Sequence, residues 1–228
     1  MRDKKKFEWA TYIEELPDFP LLIQDWEQQF VGIIFEKIPV QEMSKVLEVG
    51  CSNGRWLRWF HRTYNCEVWG LDKERAGSEG SGDVIRFTMG DALNMPYRDN
   101  SFDVVFSMGL VEHFSKKVRY QILREQRRVL KEGGHLICQA PLLNLFSVNF
   151  FYVRYAYDYK KGTKHYRTTR RELKGYLRNL GLEIVFSGST GCLFELSFLK
   201  QLSRLALFSN LFATEILVIA EKMRYKNA

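Results

Sequence analysis

The 228-residue sequence has few cysteines and no long apolar segment. No run of eighteen apolar residues occurs, so no membrane-spanning helix is expected. The first residues are basic, acidic residues follow, and the apolar core that a signal peptide requires is missing. The cysteines form no C-x-x-C pair and show no metal-ligand spacing: Cys51, Cys66, Cys138 and Cys192. We therefore expect reduced thiols and a cytoplasmic location.

The sequence also lacks the two commonest glycine motifs of nucleotide-binding proteins, although it has a glycine turn in a suitable setting. The apolar run at 46–49 predicts a buried parallel strand, and residues 55–60 begin a predicted helix. Between them, Gly50 and Gly54 frame a tight turn, where glycine tolerates positive φ and lets a ligand approach the backbone. A strand, a glycine turn and a helix N-terminus together predict a nucleotide-binding corner.

The glycine spacing excludes two classes of site. A dinucleotide fingerprint, G-x-G-x-x-G, would need glycine where Ser52 and Arg55 stand, and a P-loop would need a following Gly-Lys-Ser/Thr. What remains is Glu48, Gly50 and Gly54 in the frame E-x-G-x-x-x-G. This frame resembles motif I of the class I S-adenosylmethionine (SAM)-dependent methyltransferases, D/E-x-G-x-G-x-G, with Ser52 in place of the middle glycine. The alternative is a tight turn that holds no ligand.

The chemistry of SAM suits this corner. SAM has no pyrophosphate for a helix N-terminus to bind, but it carries an ammonium and a sulfonium. A carboxylate such as Glu48 beside the turn favours such a cation. The resemblance thus implies SAM as the cofactor and S-adenosyl-L-homocysteine as its product.

Segments after the turn resemble the same family in the same order. Asp72 ends a second predicted strand about twenty residues beyond the turn, which suits hydrogen bonds to the ribose hydroxyls. By resemblance, the Asp91 carboxylate accepts from the adenine amino group, and the backbone amide of Ala92 meets the ring. Residues 101–108 resemble motif IV, whose C-terminal end faces the methionine half of SAM. The implied cofactor-binding residues are Glu48, Gly50, Cys51, Ser52, Gly54, Asp72, Lys73, Asp91, Ala92, Ser107 and Met108.

The resemblance implies an α/β fold, a Rossmann-like seven-stranded sheet in the order 3-2-1-4-5-7-6 with strand 7 antiparallel and helices flanking it. The resemblance covers residues 40–140, and its closest subset is the small-molecule branch that includes the ubiquinone/menaquinone-biosynthesis methyltransferases. Gly133 and Gly134 predict a helix C-cap that leads into the fifth strand. The predicted strands are 45–49, 66–71, 84–89, 102–107, 134–140, 182–187 and 214–221, and the predicted helices are 18–38, 54–64, 116–131, 168–180 and 193–209.

We expect a single domain over residues 1–228. Residues 1–40 form a helical lead-in, and the glycine- and serine-rich segment 73–83 predicts a loop where most of the family has a helix. The aromatic and basic insertion at 141–167 is predicted to be a substrate lid. The alternative is an additional helix packed on the core.

His113, His165 and Tyr166 are the candidate catalytic residues. Methyl transfer is an in-line displacement that chiefly requires alignment of the reactants and exclusion of water, and no metal is required. A base is needed only if the acceptor must lose a proton, and histidine titrates in a suitable range. The alternatives are a structural hydrogen bond or a SAM contact for His113, and a surface loop position for His165.

The formal net charge of +7 permits anionic partners without demonstrating one. Many of the lysine and arginine residues lie in two clusters. These clusters predict solvated helix faces or, alternatively, a docking surface for nucleic acid, acidic phospholipid or a phosphorylated substrate. They are Arg119, Arg124, Arg127, Arg128 and Lys131, and then Lys160, Lys161, Lys164, Arg167, Arg170, Arg171, Lys174 and Arg178.

Three functions are compatible with these patterns. The first is a methyltransferase for a small apolar or aromatic acceptor, which the aromatic insertion favours. The second is an RNA or protein methyltransferase, which the charge favours, although no known RNA-binding module is present. The third is a SAM-binding or scaffold protein without catalysis, which Ser52 in the glycine motif leaves open.

Overall fold

The computed structural model describes residues 25–74, 84–141, 166, 168–190 and 215–224. Short apolar runs form the strands, and helices with one apolar face connect them. The described elements, in chain order, are α1 (Asp25–Lys37), β1 (Lys45–Val49), α2 (Arg55–Tyr64), β2 (Glu67–Asp72), β3 (Ile85–Met89), β4 (Phe102–Met108), a 3₁₀-helical turn (Val111–His113), α3 (Lys116–Val129), β5 (Leu130–Pro141), α4 (Arg170–Asn179), β6 (Leu182–Thr190) and β7 (Glu215–Lys222).

The strands form one seven-stranded sheet in the order β3-β2-β1-β4-β5-β7-β6. β1 to β5 pair in parallel, whereas β7 pairs antiparallel with both β5 and β6. The predicted strand order and the antiparallel seventh strand are confirmed. Because β1 to β4 run in parallel, their carboxyl ends share one edge of the sheet, called the carboxyl edge below.

The core has two halves because successive side chains of a strand point to opposite faces of the sheet. On one face, Leu47 of β1 belongs to a buried cluster that includes residues of α3 and α4. On the other face, Val46 belongs to a cluster that includes residues of α1 and α2. In this second cluster the fully buried Phe60 of α2 packs against Phe106 of β4, with 5.2 Å between ring centroids.

The start of β5 differs from the prediction. The preceding helix ends at Val129 and β5 begins at the next residue, so Gly133 and Gly134 lie inside the strand and the predicted helix cap is wrong. Gly133 has φ 77° at an irregularity in the pairing of β4 with β5. The end of the helix is capped instead by the buried Lys222 ammonium, which donates to the backbone oxygens of Arg127 (3.2 Å) and Leu130 (2.7 Å). A distant side chain therefore replaces the local glycine cap.

The helix predicted at 168–180 is present as α4 and is capped at both ends. The Thr169 hydroxyl accepts a hydrogen bond from the Glu172 backbone N–H at 3.2 Å, and Gly181 follows the helix with φ 74°.

Several predictions lie outside the described residues: the lead-in before residue 25, the loop over 75–83, most of the insertion and the helix at 193–209. Within the described ranges, no helix is long and apolar enough to cross a membrane.

His135 makes one contribution to stability that depends on pH. It is buried in β5, and burial lowers its pKa below the usual 6.5 although Glu221 raises it. As the pH falls through that usual value, the unfolded chain therefore takes up a proton before the folded chain does, and stability is lost. We expect His135→Gln to reduce the loss of unfolding free energy between pH 7 and pH 5, whose slope for one proton is at most about 1.4 kcal/mol per pH unit. Urea unfolding at several pH values measures this, and equal slopes for both proteins would contradict it.

Candidate functional site

The glycine turn lies at the carboxyl edge, between β1 and α2. Gly50 (φ 76°) donates its N–H to the Leu71 oxygen at 2.8 Å, and Gly54 (φ 71°) donates its N–H to the Cys51 oxygen at 2.7 Å. A Cβ on Gly54 would lie 2.6 Å from the Ile85 side chain, so space as well as conformation favours glycine. Ser52 also adopts a positive φ, 49°. The serine thus takes a left-handed conformation of the kind that glycine adopts readily.

Asp72 ties the end of β2 to this turn. The Ser52 backbone N–H donates to Asp72 Oδ2 at 2.8 Å, and the Glu74 backbone N–H is 3.4 Å from Oδ1. The side chain is only partly buried, and a carboxylate has more acceptor positions than these two contacts use. It can therefore accept further hydrogen bonds from a ligand at this edge.

Glu48 is a buried acid at the start of the turn. Its side chain is 3% exposed, and Oε2 has no hydrogen-bond partner among the described residues. Burial raises the pKa of Glu48 well above its usual value and the Asp72 charge adds to this, while Arg58 opposes it. A buried carboxyl oxygen without a partner is costly, so this position favours a cationic or hydrogen-donating ligand.

Asp91 and Ala92 follow β3 at the same edge. Asp91 Oδ1 accepts from the Leu93 backbone N–H at 2.9 Å, and Oδ2 lies 3.4 Å from the Lys73 ammonium. The Asp91 side chain is 46% exposed, and Ala92 is buried. This loop continues to Asp99 and is held to α3 by Arg128, which donates to the backbone oxygen of Met95 at 3.0 Å.

The two predicted residues at the end of β4 point in opposite directions. Phe106 pairs in register with Glu48, and alternation puts the neighbouring Met108 on the same face of the sheet as these two residues. Ser107 points to the other face, where it is fully buried and its oxygen lies 4.0 Å from the Cys138 sulfur. Of the two side chains, only Met108 is therefore on the face that carries Glu48.

The catalytic candidates lie in a second group beyond β4. His113 is in the 3₁₀-helical turn, and the Tyr166 backbone N–H donates to the Glu112 oxygen of that turn at 2.6 Å. The structure thus brings His113 and Tyr166 into neighbouring segments. His165 lies outside the described residues.

Arg119 is the residue that the sequence interpretation misplaced. The sequence predicts it in a basic cluster that forms a solvated face or a docking surface, but its side chain is 0% exposed and ion-paired with Glu172 at 2.8 Å. The spacing contained the missing signal, since residue 119 is three and four positions before the buried Ile122 and Leu123. Two more members of that cluster, Arg128 and Lys131, form ion pairs within the chain.

Comparison with known proteins matches this arrangement to a family. Residues 47–138, from β1 to β5, match the family model described as "Methyltransferase domain". Over these residues the chain is similar to a methyltransferase domain, in agreement with the resemblance to the class I SAM-dependent methyltransferases that motif I predicts. The predicted cofactor, SAM, agrees with this similarity. The narrower ubiquinone/menaquinone branch and the roles of single residues stay predictions.

Individual relatives of this methyltransferase domain differ in what they are named for. "Methyltransferase GfsG" of Streptomyces halstedii is 34% identical over 112 residues, which are 45% of this chain and 40% of the relative. "Probable tRNA methyltransferase 9B" of Mus musculus is 35% identical over 97 residues, 41% of this chain and 21% of the relative. The chain thus spans less than half the length of either of these curated relatives.

A solved structure shares the fold. Geranyl diphosphate C-methyltransferase from Streptomyces coelicolor A3(2), solved with Mg²⁺, geranyl diphosphate and S-adenosyl-L-homocysteine, superposes with a TM-score of 0.64 at 13% identity. The match covers 86% of this chain and 79% of that one. It supports the architecture of the methyltransferase domain and says nothing about the acceptor.

Proposed function

We propose that this protein transfers a methyl group from SAM to a small apolar or aromatic acceptor. The observation that carries the SAM part is the buried carboxyl of Glu48 beside the glycine turn, one oxygen of which has no hydrogen-bond partner in the part of the chain that the structure describes. An ammonium or a sulfonium is the kind of group that such an acid stabilises. The residues present therefore fit SAM.

The proposed cofactor contacts follow the carboxyl edge. Glu48 faces the cationic methionine half of SAM, and Met108 lies on the same face of the sheet. Asp72, held by the Ser52 N–H, accepts from the ribose hydroxyls, while Asp91 accepts from the adenine amino group. Ala92 contributes its backbone amide.

The chain's own contribution to the reaction is alignment, exclusion of water and, where the acceptor requires it, proton removal. SAM supplies, when bound, a methyl group already activated by its sulfonium. Alignment of donor and nucleophile is then the main catalytic effect. If the acceptor carries a proton on the attacking atom, His113 is the proposed group to accept it, and Tyr166, in the segment that binds the same turn, is the proposed hydrogen-bonding group beside it.

A second candidate function is methylation of RNA. It is supported by the relative named a probable tRNA methyltransferase and by the net charge. We rank it lower because the first basic cluster is partly used within the fold, through Arg119, Arg128 and Lys131. The members of the second basic cluster that the structure describes lie on α4. An anionic RNA or phospholipid would bind to this surface.

Two experiments test the proposal. Calorimetric titration with SAM and S-adenosyl-L-homocysteine separates an enzyme from a scaffold, and absence of binding at millimolar ligand would contradict the enzyme. Transfer of tritium from [methyl-³H]SAM is then compared between a total RNA extract and a metabolite and lipid extract. Label in the small-molecule fraction supports the proposed acceptor class, and label in the RNA fraction supports the alternative.

Asp91→Ala should weaken SAM binding by about 1 kcal/mol. This lies at the lower end of the usual cost of an unpaired hydrogen-bonding group, about 1–3 kcal/mol, because the Asp91 carboxylate is half-exposed. Asp91→Asn is the matched control, since it keeps an oxygen for the Leu93 N–H. Calorimetry measures both variants, and an unchanged SAM affinity of Asp91→Ala would remove Asp91 from the site.

A further inference from the structure

The fully buried guanidinium of Arg119 connects three segments of the chain. It donates to the backbone oxygens of Val111 (3.1 Å), Phe114 (3.3 Å) and Tyr166 (3.3 Å) and to the Glu172 carboxylate (2.8 Å). A buried charge is tolerated when it is paired and hydrogen-bonded, and each nitrogen of this guanidinium has an acceptor. Arg119 is thus a buried side chain that holds these segments together, and it is not a surface cation.

Two of these segments carry the catalytic candidates. The acceptors Val111 and Phe114 flank Glu112 and His113 on either side. The backbone of Tyr166 is held at both ends, since its N–H donates to the Glu112 oxygen while its own oxygen accepts from Arg119. Arg119 therefore sets the relative position of the His113 turn and Tyr166.

Glu172, in α4, provides the carboxylate that binds the Arg119 guanidinium. Its Oε1 accepts from Arg119 and also from the Tyr176 hydroxyl, each at 2.8 Å. The same helix is capped by Thr169, and the neighbouring Thr168 hydroxyl donates to the Tyr166 oxygen at 3.1 Å. The start of α4 is thus fixed to the same point as the His113 turn.

A second arginine, at the other end of α3, binds backbone oxygens in a similar way. Arg128 donates to the backbone oxygens of Tyr97 (2.8 Å) and Met95 (3.0 Å) and pairs with Glu125. These carbonyls belong to the loop that follows Asp91. The helix α3 therefore holds the His113 turn through the hydrogen bonds of Arg119 and the loop after Asp91 through those of Arg128.

We propose that Arg119 is a positioning residue for methyl transfer. It aligns His113 and Tyr166 on the acceptor half of the site and does not contribute to SAM binding. The assignment of the two halves rests on the proposed function. Arg128 is the matched comparison, because its loop belongs to the proposed adenine half.

Hydrogen exchange and calorimetry test the placement without any knowledge of the acceptor. We expect Arg119→Lys to speed amide exchange about tenfold or more in the peptides that contain residues 111–114 and 166, since a charged hydrogen-bond network is disrupted. The dissociation constant for SAM should stay within about twofold of wild type. Arg128→Lys should do the opposite, with weaker SAM binding, faster exchange over 93–99 and unchanged protection at 166.

Two results would overturn the proposal in this experiment. One is a loss of SAM affinity in Arg119→Lys as large as in Arg128→Lys, and the other is unchanged protection of Tyr166. If Arg119→Lys does not fold, Glu172→Gln serves for the same comparison, because it removes only the charge that pairs with the guanidinium.

A rate measurement tests the consequence for transfer. In a single turnover, Arg119→Lys should label the small-molecule fraction that wild type labels about tenfold more slowly at saturating SAM. An unchanged rate would refute the positioning role. An extract that wild type does not label would count against the proposed acceptor class, whereas exchange and calorimetry would still decide the place of Arg119.

Discussion

Glu48→Gln should weaken SAM binding by about tenfold or more at alkaline pH, since a charge-assisted contact of about 1.5–3 kcal/mol is lost. Burial raises the pKa of Glu48, so the carboxyl of the free protein is protonated over a wider pH range than usual. The cation of SAM favours the ionised form, and binding should therefore release a proton. In wild type the affinity should rise with pH up to the raised pKa and then level off.

For stability, the raised pKa of Glu48 predicts that Glu48→Gln has the opposite effect, a gain. A carboxyl whose pKa is raised on folding binds a proton more tightly in the folded chain, so stability is lost as pH rises from the usual value of 4.5 toward the raised one. Glutamine cannot ionise. We therefore expect Glu48→Gln to unfold at higher denaturant concentration than wild type at alkaline pH, while it binds SAM less tightly.

Calorimetry in buffers of different ionisation enthalpy measures the released proton, and urea unfolding measures the stability. SAM's own titration cancels between wild type and variant, because both bind the same ligand. Glu67→Gln is the matched control, a carboxylate at the amino end of β2 that pairs with Arg86. Equal pH dependence of SAM binding in wild type and Glu48→Gln would show that Glu48 does not face the cation.

Much of the sheet was predictable because each strand is a short apolar run beside a glycine or an acid. The predicted strand at 45–49 coincides with β1, and those at 66–71 and 102–107 differ from β2 and β4 by one residue at the ends. The acidic residues of the carboxyl edge could be placed because parallel strands align their ends. Local pattern and topology were sufficient for these features.

The errors arise where partners are distant in sequence. Arg119 looks like any surface cation until Glu172, 53 residues away, supplies its carboxylate. The end of α3 is capped by Lys222, 92 residues beyond the Leu130 oxygen that it binds. Ser107 is a different case, because strand alternation relative to Glu48 alone could have placed its side chain on the opposite face.

Phe60→Ala should cost about 3–5 kcal/mol of unfolding free energy, which is a large part of the about 5–15 kcal/mol that holds a typical domain folded. The ring is fully buried between Trp59 of its own helix and Phe106 of β4, with centroid distances of 4.9 and 5.2 Å. Alanine would leave a cavity that the sheet cannot close. Urea unfolding measures the loss.

Phe35→Ala is the matched control for this cavity. Phe35 also contacts Trp59 and Tyr64, but it is 57% exposed, so its removal leaves no closed cavity and should cost about 1 kcal/mol or less. Because Phe106 pairs in register with Glu48, the cavity of Phe60→Ala opens beside the acid of the glycine turn. We therefore expect weaker SAM binding in Phe60→Ala and not in Phe35→Ala. Equal costs of unfolding in the two variants would contradict the cavity, and equal SAM affinities would mean that the packing of α2 on β4 does not support the glycine turn.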